Sequence, residues 1–113
     1  MKPFTIERPW GSFRQFTKNE PTTVKILFVR DGEALSLQHH KERSEFWRVL
    51  SGTPDIQKGK AVIHAKAGDE FFIDVGESHR ITAIGGDATC LEISTGSFNE
   101  DDIVREEDNY GRA

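Results

Sequence analysis

Between Leu35 and Trp47 the chain reads LSLQHHKERSEFW, which sets Gln38, His39, His40 and Glu45 close together. Imidazole nitrogens beside a carboxylate and an amide oxygen form a donor set for a borderline divalent ion. The same residues would also suit a polar strand end followed by a charged turn. Two further histidines complete the inventory. His79 follows GDEFFIDVGES, where Gly68 and Gly76 bracket a strand and a tight turn that deliver it to the start of the next strand. His64 lies inside the apolar run AVIHA, where a packed or exposed sheet residue is the plainer reading.

Such a site needs strands to aim it. Short β-rich runs fall at 12–17, 22–30, 34–40, 45–51, 60–65, 70–74, 79–84 and 88–95. The punctuation between them (NEP, DGE, SGTP, KGK, AGD, VGES, IGGD) is rich in turn residues. Many short strands at this spacing predict an all-β sandwich or barrel. Asn99 followed by Glu100, Asp101 and Asp102 predicts a short C-terminal helix with an acidic first turn. Side chains alternate faces along a strand. Leu35, Leu37 and His39 therefore share one face, and Ser36, Gln38 and His40 the other. If the next strand pairs with this one, Gln38, His40 and Glu45 converge inside a barrel while His39 points away.

Composition bounds the rest. The 113 residues fit one domain, 1–113, with neither repeat nor linker. A net charge of −4 without a basic stripe argues against nucleic acid. No run approaches the roughly 20 apolar residues of a membrane span, and MKPFTIERPW lacks the apolar core of a signal peptide. The single Cys90 excludes an internal disulfide and a cysteine-based zinc site. The expectation is a cytoplasmic protein whose partner is a small molecule.

The chain resembles the cupin superfamily through two motifs. The first runs from Gly32 through Gln38, His40 and Glu45 to Gly52; the second runs from Gly68 through Asp74 and Gly76 to His79. Gln38 stands where the first histidine is usual, and Asp74 where proline is usual. The sequence is also similar to the C-terminal cupin domain of type II phosphomannose isomerases, which is often fused to a mannose-1-phosphate guanylyltransferase. RPWGSF, the LSLQ-to-Trp47 stretch, SGT, HRI and GSFNEDDIVREEDNYGR carry this likeness over nearly the whole chain. Lys41, Glu42 and Phe46 occupy places where the family commonly has further histidines.

The resemblance implies a mostly antiparallel double-stranded β-helix, or jelly-roll barrel. It implies a divalent ion, zinc first and then Mn, Fe, Co or Ni, on Gln38, His40, Glu45 and His79. It further implies interconversion of mannose 6-phosphate and fructose 6-phosphate, which calls for a base, oxyanion stabilisation and a grip on phosphate. Candidate bases are Lys41, Glu42, Asp74 and Glu77; candidate phosphate ligands are Lys25, Arg43, Arg80 and Arg105. Trp10 and Trp47 are aromatic surfaces for a sugar ring, with core packing as the plainer role. A homodimer through barrel edge strands is a further expectation. The competing readings are a non-catalytic carbohydrate-binding cupin and another metal-dependent cupin enzyme.

Overall fold

A computed structural model describes residues 2–112. Its strands are β1 (Phe4–Arg8), β2 (Gly11–Gln15), β3 (Thr22–Val29), β4 (Leu37–His39), β5 (Arg43–Ser51), β6 (Asp55–Lys58), β7 (Ala61–His64), β8 (Glu70–Ile73), β9 (His79–Thr82), β10 (Ala88–Gly96) and β11 (Val104–Glu107). β1 and β2 form a hairpin. A four-stranded sheet runs β3-β10-β5-β8, and a five-stranded sheet runs β11-β4-β9-β6-β7. All the pairings are antiparallel. Two facing sheets with crossed connections make the expected barrel.

The alternation that builds each strand also builds the core. Trp47 and Val49 from β5, Ile56 from β6, Ile73 from β8, Ile81 from β9 and Cys90 from β10 are essentially sealed from solvent between the sheets. Each fully buried isoleucine contributes about 2–3 kcal/mol. One end of this interior is polar instead: Ser36, His40, Glu45, His79, Glu92 and Ser94 are buried there.

Two glycines are required where backbones meet. Gly52 has φ +84°, and a side chain there would run into the Asp87 carbonyl. Gly96 has φ +114°, and a Cβ would lie 2.6 Å from the Glu42 carbonyl oxygen. Gly96 thus lets β10 close against the turn that carries the site.

Three strands escape the sequence pattern. β6 reads DIQK with one apolar residue, β11 reads VREE, and β1 reads FTIER, so none shows a sustained apolar face. The strand expected over 34–40 is cut to 37–39, with Ala34 making only an isolated bridge to Thr82. The C-terminal helix does not form. Asn99 caps a single turn, its Oδ1 and carbonyl accepting the N–H groups of Asp101 and Asp102, each at 2.9 Å. The Asp102 carboxylate instead reaches across to accept the N–H groups of Lys41 and Glu42, each at 2.9 Å. That cross-link holds the segment in turn geometry and lets β11 follow at once.

Candidate metal centre

The register of the five-stranded sheet sets the site. Arg105 of β11 stands opposite Gln38 of β4, and Gln38 opposite His79 of β9, so one row of inward side chains crosses three strands. The facing sheet contributes Glu45 from β5, aligned with Ser94 of β10. His40 follows β4 directly, and its carbonyl accepts the Gly76 N–H at 2.7 Å, fastening one motif to the other.

Glu45 Oε1 lies 3.0 Å from His79 Nε2 and 3.5 Å from His40 Nε2, and the two Nε2 atoms are 3.2 Å apart. All three residues are at most 3% exposed. Each ring is oriented from behind. His40 Nδ1 donates to the Asp102 carbonyl at 2.7 Å, and His79 Nδ1 donates to the Glu77 carbonyl at 2.8 Å. With Nδ1 engaged, Nε2 of each ring is left to face the centre. Trp47 packs edge-on against His79, with ring centroids 5.2 Å apart.

This cluster fits a cation. Burial works against a charge on Glu45, yet the adjacent His40 and His79 rings outweigh it and hold its carboxyl well below the usual range. Its Oε1 nevertheless accepts no hydrogen bond, an orphaned buried oxygen aimed at two ring nitrogens. Gln38 lines the same cavity, its amide oxygen accepting from Ser36 Oγ at 2.8 Å.

The cavity above the cluster measures about 210 Å³; Gln38, His40, Arg43, Glu45, Glu92 and Arg105 are among its lining residues. Glu92 is the residue that sequence reasoning missed. It is 6% exposed and accepts from Trp47 Nε1 at 3.3 Å. Burial first, then the neighbouring Glu45 charge, pushes its carboxyl up to about 7. Parity along β10 puts Glu92 on one face with Cys90 and Ser94, and the barrel turns that face inward.

The four cationic candidates separate. Arg43 is 6% exposed and sits at the base of the cavity: Nη2 donates to His40 Nε2 at 3.3 Å, Nη1 to the Asn99 carbonyl at 3.1 Å, and the guanidinium lies 4.5 Å from the Phe98 ring centre. Lys25 lines the cavity but pairs with Glu100 at 3.1 Å. Arg105 lines it with a buried Nε that has no hydrogen-bond partner. Arg80 lies outside the lining, donating to the Leu35 carbonyl at 2.9 Å and pairing with Glu107 at 3.5 Å, because alternation after His79 turns it to the opposite face. Arg112, unmarked by the sequence pattern, also lines the cavity and pairs with Asp108 at 2.9 Å.

The four expected bases all lie off the cavity lining. Lys41, Glu42 and Asp74 are exposed. Glu77 accepts from the Asp74 N–H at 3.1 Å and serves the site through its backbone carbonyl. His39 faces outward to Glu106 at 3.2 Å, and His64 to Asp55 at 2.8 Å, as alternation predicts. Phe46 also faces outward, against Phe16 with ring centroids 5.5 Å apart. The departures at 41, 42 and 46 therefore leave the His40–Glu45–His79 cluster intact.

Solved structures confirm the fold. A cupin protein from Bacteroides fragilis superposes with a TM-score of 0.61 at 20% identity, covering 74% of this chain and 82% of that one. The capsular polysaccharide assembling protein CapF from Staphylococcus aureus gives 0.66 at 20% identity, over 95% of this chain and 35% of its own. Among curated proteins, the xanthan biosynthesis protein XanB of Xanthomonas campestris pv. campestris is 38% identical over 109 residues, 95% of this chain and 23% of the relative. Mannose-1-phosphate guanylyltransferase 2 of Escherichia coli O157:H7 is 36% identical over 107 residues, 93% of this chain and 22% of the relative. The chain thus spans about a quarter of the length of these relatives. The family model for the mannose-6-phosphate isomerase C-terminal domain matches residues 2–108, and the chain belongs to that family.

Proposed function

We propose that the chain is a metal-dependent aldose–ketose isomerase interconverting mannose 6-phosphate and fructose 6-phosphate. The observation that carries this reading is the buried His40–Glu45–His79 cluster, with its orphaned carboxylate oxygen, at the base of a cavity that also holds Glu92 and Arg105. Family membership supports the same reaction class.

His40, Glu45 and His79, joined by Gln38, would hold the divalent ion, zinc first among the candidates, and the ion would supply Lewis-acid polarisation of the substrate carbonyl. Arg43 has to release the His40 Nε2 lone pair to allow this, and its bonds to the Asn99 and Asp102 carbonyls keep the guanidinium nearby. Glu92, as carboxylate, takes the proton from C2 of the aldose. After exchange of that proton with solvent, its carboxyl delivers one to C1, while the hydroxyl proton on O2 passes to O1, giving the ketose. A carboxyl poised near neutrality suits both halves of that exchange. Glu92 takes the role for which Lys41, Glu42, Asp74 and Glu77 were candidates, because it lines the cavity. Arg105 offers its free Nε to the phosphate, with Lys25 and Arg112 adding positive charge.

No helix among the described residues is long and apolar enough to cross a membrane; a cytoplasmic reaction is part of the proposal. The rival reading, a sugar-binding module without turnover, draws on Arg43, whose guanidinium already brings positive charge to His40 and Glu45. The two separate in D₂O. Metal-loaded protein incubated with mannose 6-phosphate should yield fructose 6-phosphate with deuterium entering from solvent. Saturable binding with neither product nor exchange would refute the isomerase and leave the binding module.

A further inference from the structure

We propose that Trp47 is a positioning residue for the isomerisation, its indole N–H aiming the Glu92 carboxylate into the cavity; the role rests on the isomerase reading, in which Glu92 moves the proton. Trp47 is fully buried and stands off the cavity lining, so it has no face to offer a sugar ring. Its indole instead meets the site from behind. Nε1–H donates to Glu92 Oε2 at 3.3 Å, and the ring packs against His79 with centroids 5.2 Å apart.

The sheet register builds this contact. On the face that β5 and β10 turn inward, Trp47 stands directly opposite Glu92, and Glu45 directly opposite Ser94. The two rungs are reciprocal. β5 supplies Glu45 and β10 holds it: Ser94 Oγ donates to Glu45 Oε2 at 3.3 Å, which leaves Oε1 facing the histidines. β10 supplies Glu92 and β5 holds it: the indole takes Oε2, which leaves Oε1 for the cavity. Neighbouring rungs on one face lie roughly 7 Å apart along the strands. One stretch of ladder therefore fixes the ligand carboxylate and the base relative to each other.

Glu92 needs such a hold. Trp47 is the only hydrogen-bond donor on its side chain among the described residues, and the neighbouring Glu45 charge repels its carboxylate. The terminal torsion of a glutamate is broad and roughly two-fold, so without the N–H the carboxylate is free to swing away from Glu45. A base must stay within hydrogen-bond reach of the proton it takes, and this one serves two adjacent carbons, C2 and C1. A displacement of about 1 Å costs on the order of 100-fold in rate. Packing alone does not call for an indole. A phenylalanine would fill the core beside His79 without bringing a buried N–H that has to be satisfied.

The test removes the donor and keeps the shape. 3-Benzothienylalanine, which carries sulfur in place of the indole N–H, is introduced at position 47 alone, and Trp47→Phe is made alongside. Each zinc-loaded form is assayed with mannose 6-phosphate at its alkaline kcat plateau, where the base is ionised in all of them. Loss of the donor should lower kcat per loaded chain by about 10- to 100-fold in both forms, with KM within about twofold of the parent. Zinc retained per chain and the melting temperature of the benzothienyl form should match the parent. A role in packing alone would do the reverse in Trp47→Phe, lowering zinc retention and melting temperature with kcat per loaded chain unchanged. A benzothienyl form that keeps the parent kcat, or that loses only in KM, overturns the proposal while the isomerase reading stands. A parent without turnover overturns both.

Discussion

Replacing Glu92 by glutamine should make the metal-free protein more stable and the metal-loaded protein inactive. Glu92 is sealed against Trp47 and Glu45, and burial first, then the Glu45 charge, raises its carboxyl from 4.5 to about 7. A carboxyl whose folded-state value is raised destabilises the fold as pH climbs. Below 4.5 both states hold the proton and nothing is lost; between 4.5 and about 7 the unfolded chain releases it first; above 7 the penalty is complete. That interval corresponds to about 3 kcal/mol. Glutamine has nearly the same shape, keeps an oxygen for the Trp47 Nε1–H and carries no charge. With chelator present, Glu92→Gln should therefore raise the melting temperature at pH 8 by roughly 10 °C for a domain of this size, with little change at pH 4. Thermal melts followed by circular dichroism at the two pH values are the assay. The same variant should lose isomerisation by about 100-fold or more, since an amide cannot carry the proton. Destabilisation at pH 8, or an equal shift at both pH values, would refute the reasoning.

Other side chains give separable outcomes. Gln38→Ala should weaken metal retention less than His79→Ala, since an amide oxygen already accepting from Ser36 is a weaker donor than an imidazole; metal content after desalting checks the ranking. Asp102→Ala frees the N–H groups of Lys41 and Glu42, which should cost about 1–2 kcal/mol in denaturant melts and loosen metal retention, with Asp102→Asn recovering part of both. Arg105→Ala should raise KM for the sugar phosphate by about 10- to 100-fold with a smaller effect on kcat, as expected when a charge-assisted phosphate contact is removed; steady-state kinetics decide.

The His40–Glu45–His79 cluster was legible because strand period and motif spacing agree. Gln38 and His40 fall on one face by alternation and the Gly68–Gly76 turn aims His79 at them, but Glu45 arrives from the facing sheet, since β4 pairs with β9 and β11 and not, as expected, with β5. What the sequence concealed lies where local pattern and tertiary role diverge. Along β10 the larger apolar residues Leu91 and Ile93 alternate with Cys90, Glu92 and Ser94, which suggests that the former line the core. The barrel turns the other set inward because its polar end needs it, with Glu92 at 6% and Ser94 at 2% exposure. The C-terminal segment misled in a related way. Asn99 and the acidic residues after it have the composition of a helix start, but Asp102 caps the turn at Lys41 and Glu42 across the molecule. Such long-range caps leave no periodic trace. Lys41, Glu42, Asp74 and Glu77 are near the cluster in sequence, and alternation or turn geometry carries their side chains off the cavity.

The central claim is that His40, Glu45 and His79 form one metal site. Its most direct test is to strip the protein with chelator, titrate it with zinc, desalt, and count ions per chain in the parent and in His79→Ala. One ion per parent chain and essentially none in the variant is the expected result. A parent that retains no ion, or a His79→Ala variant that retains as much as the parent, would contradict it.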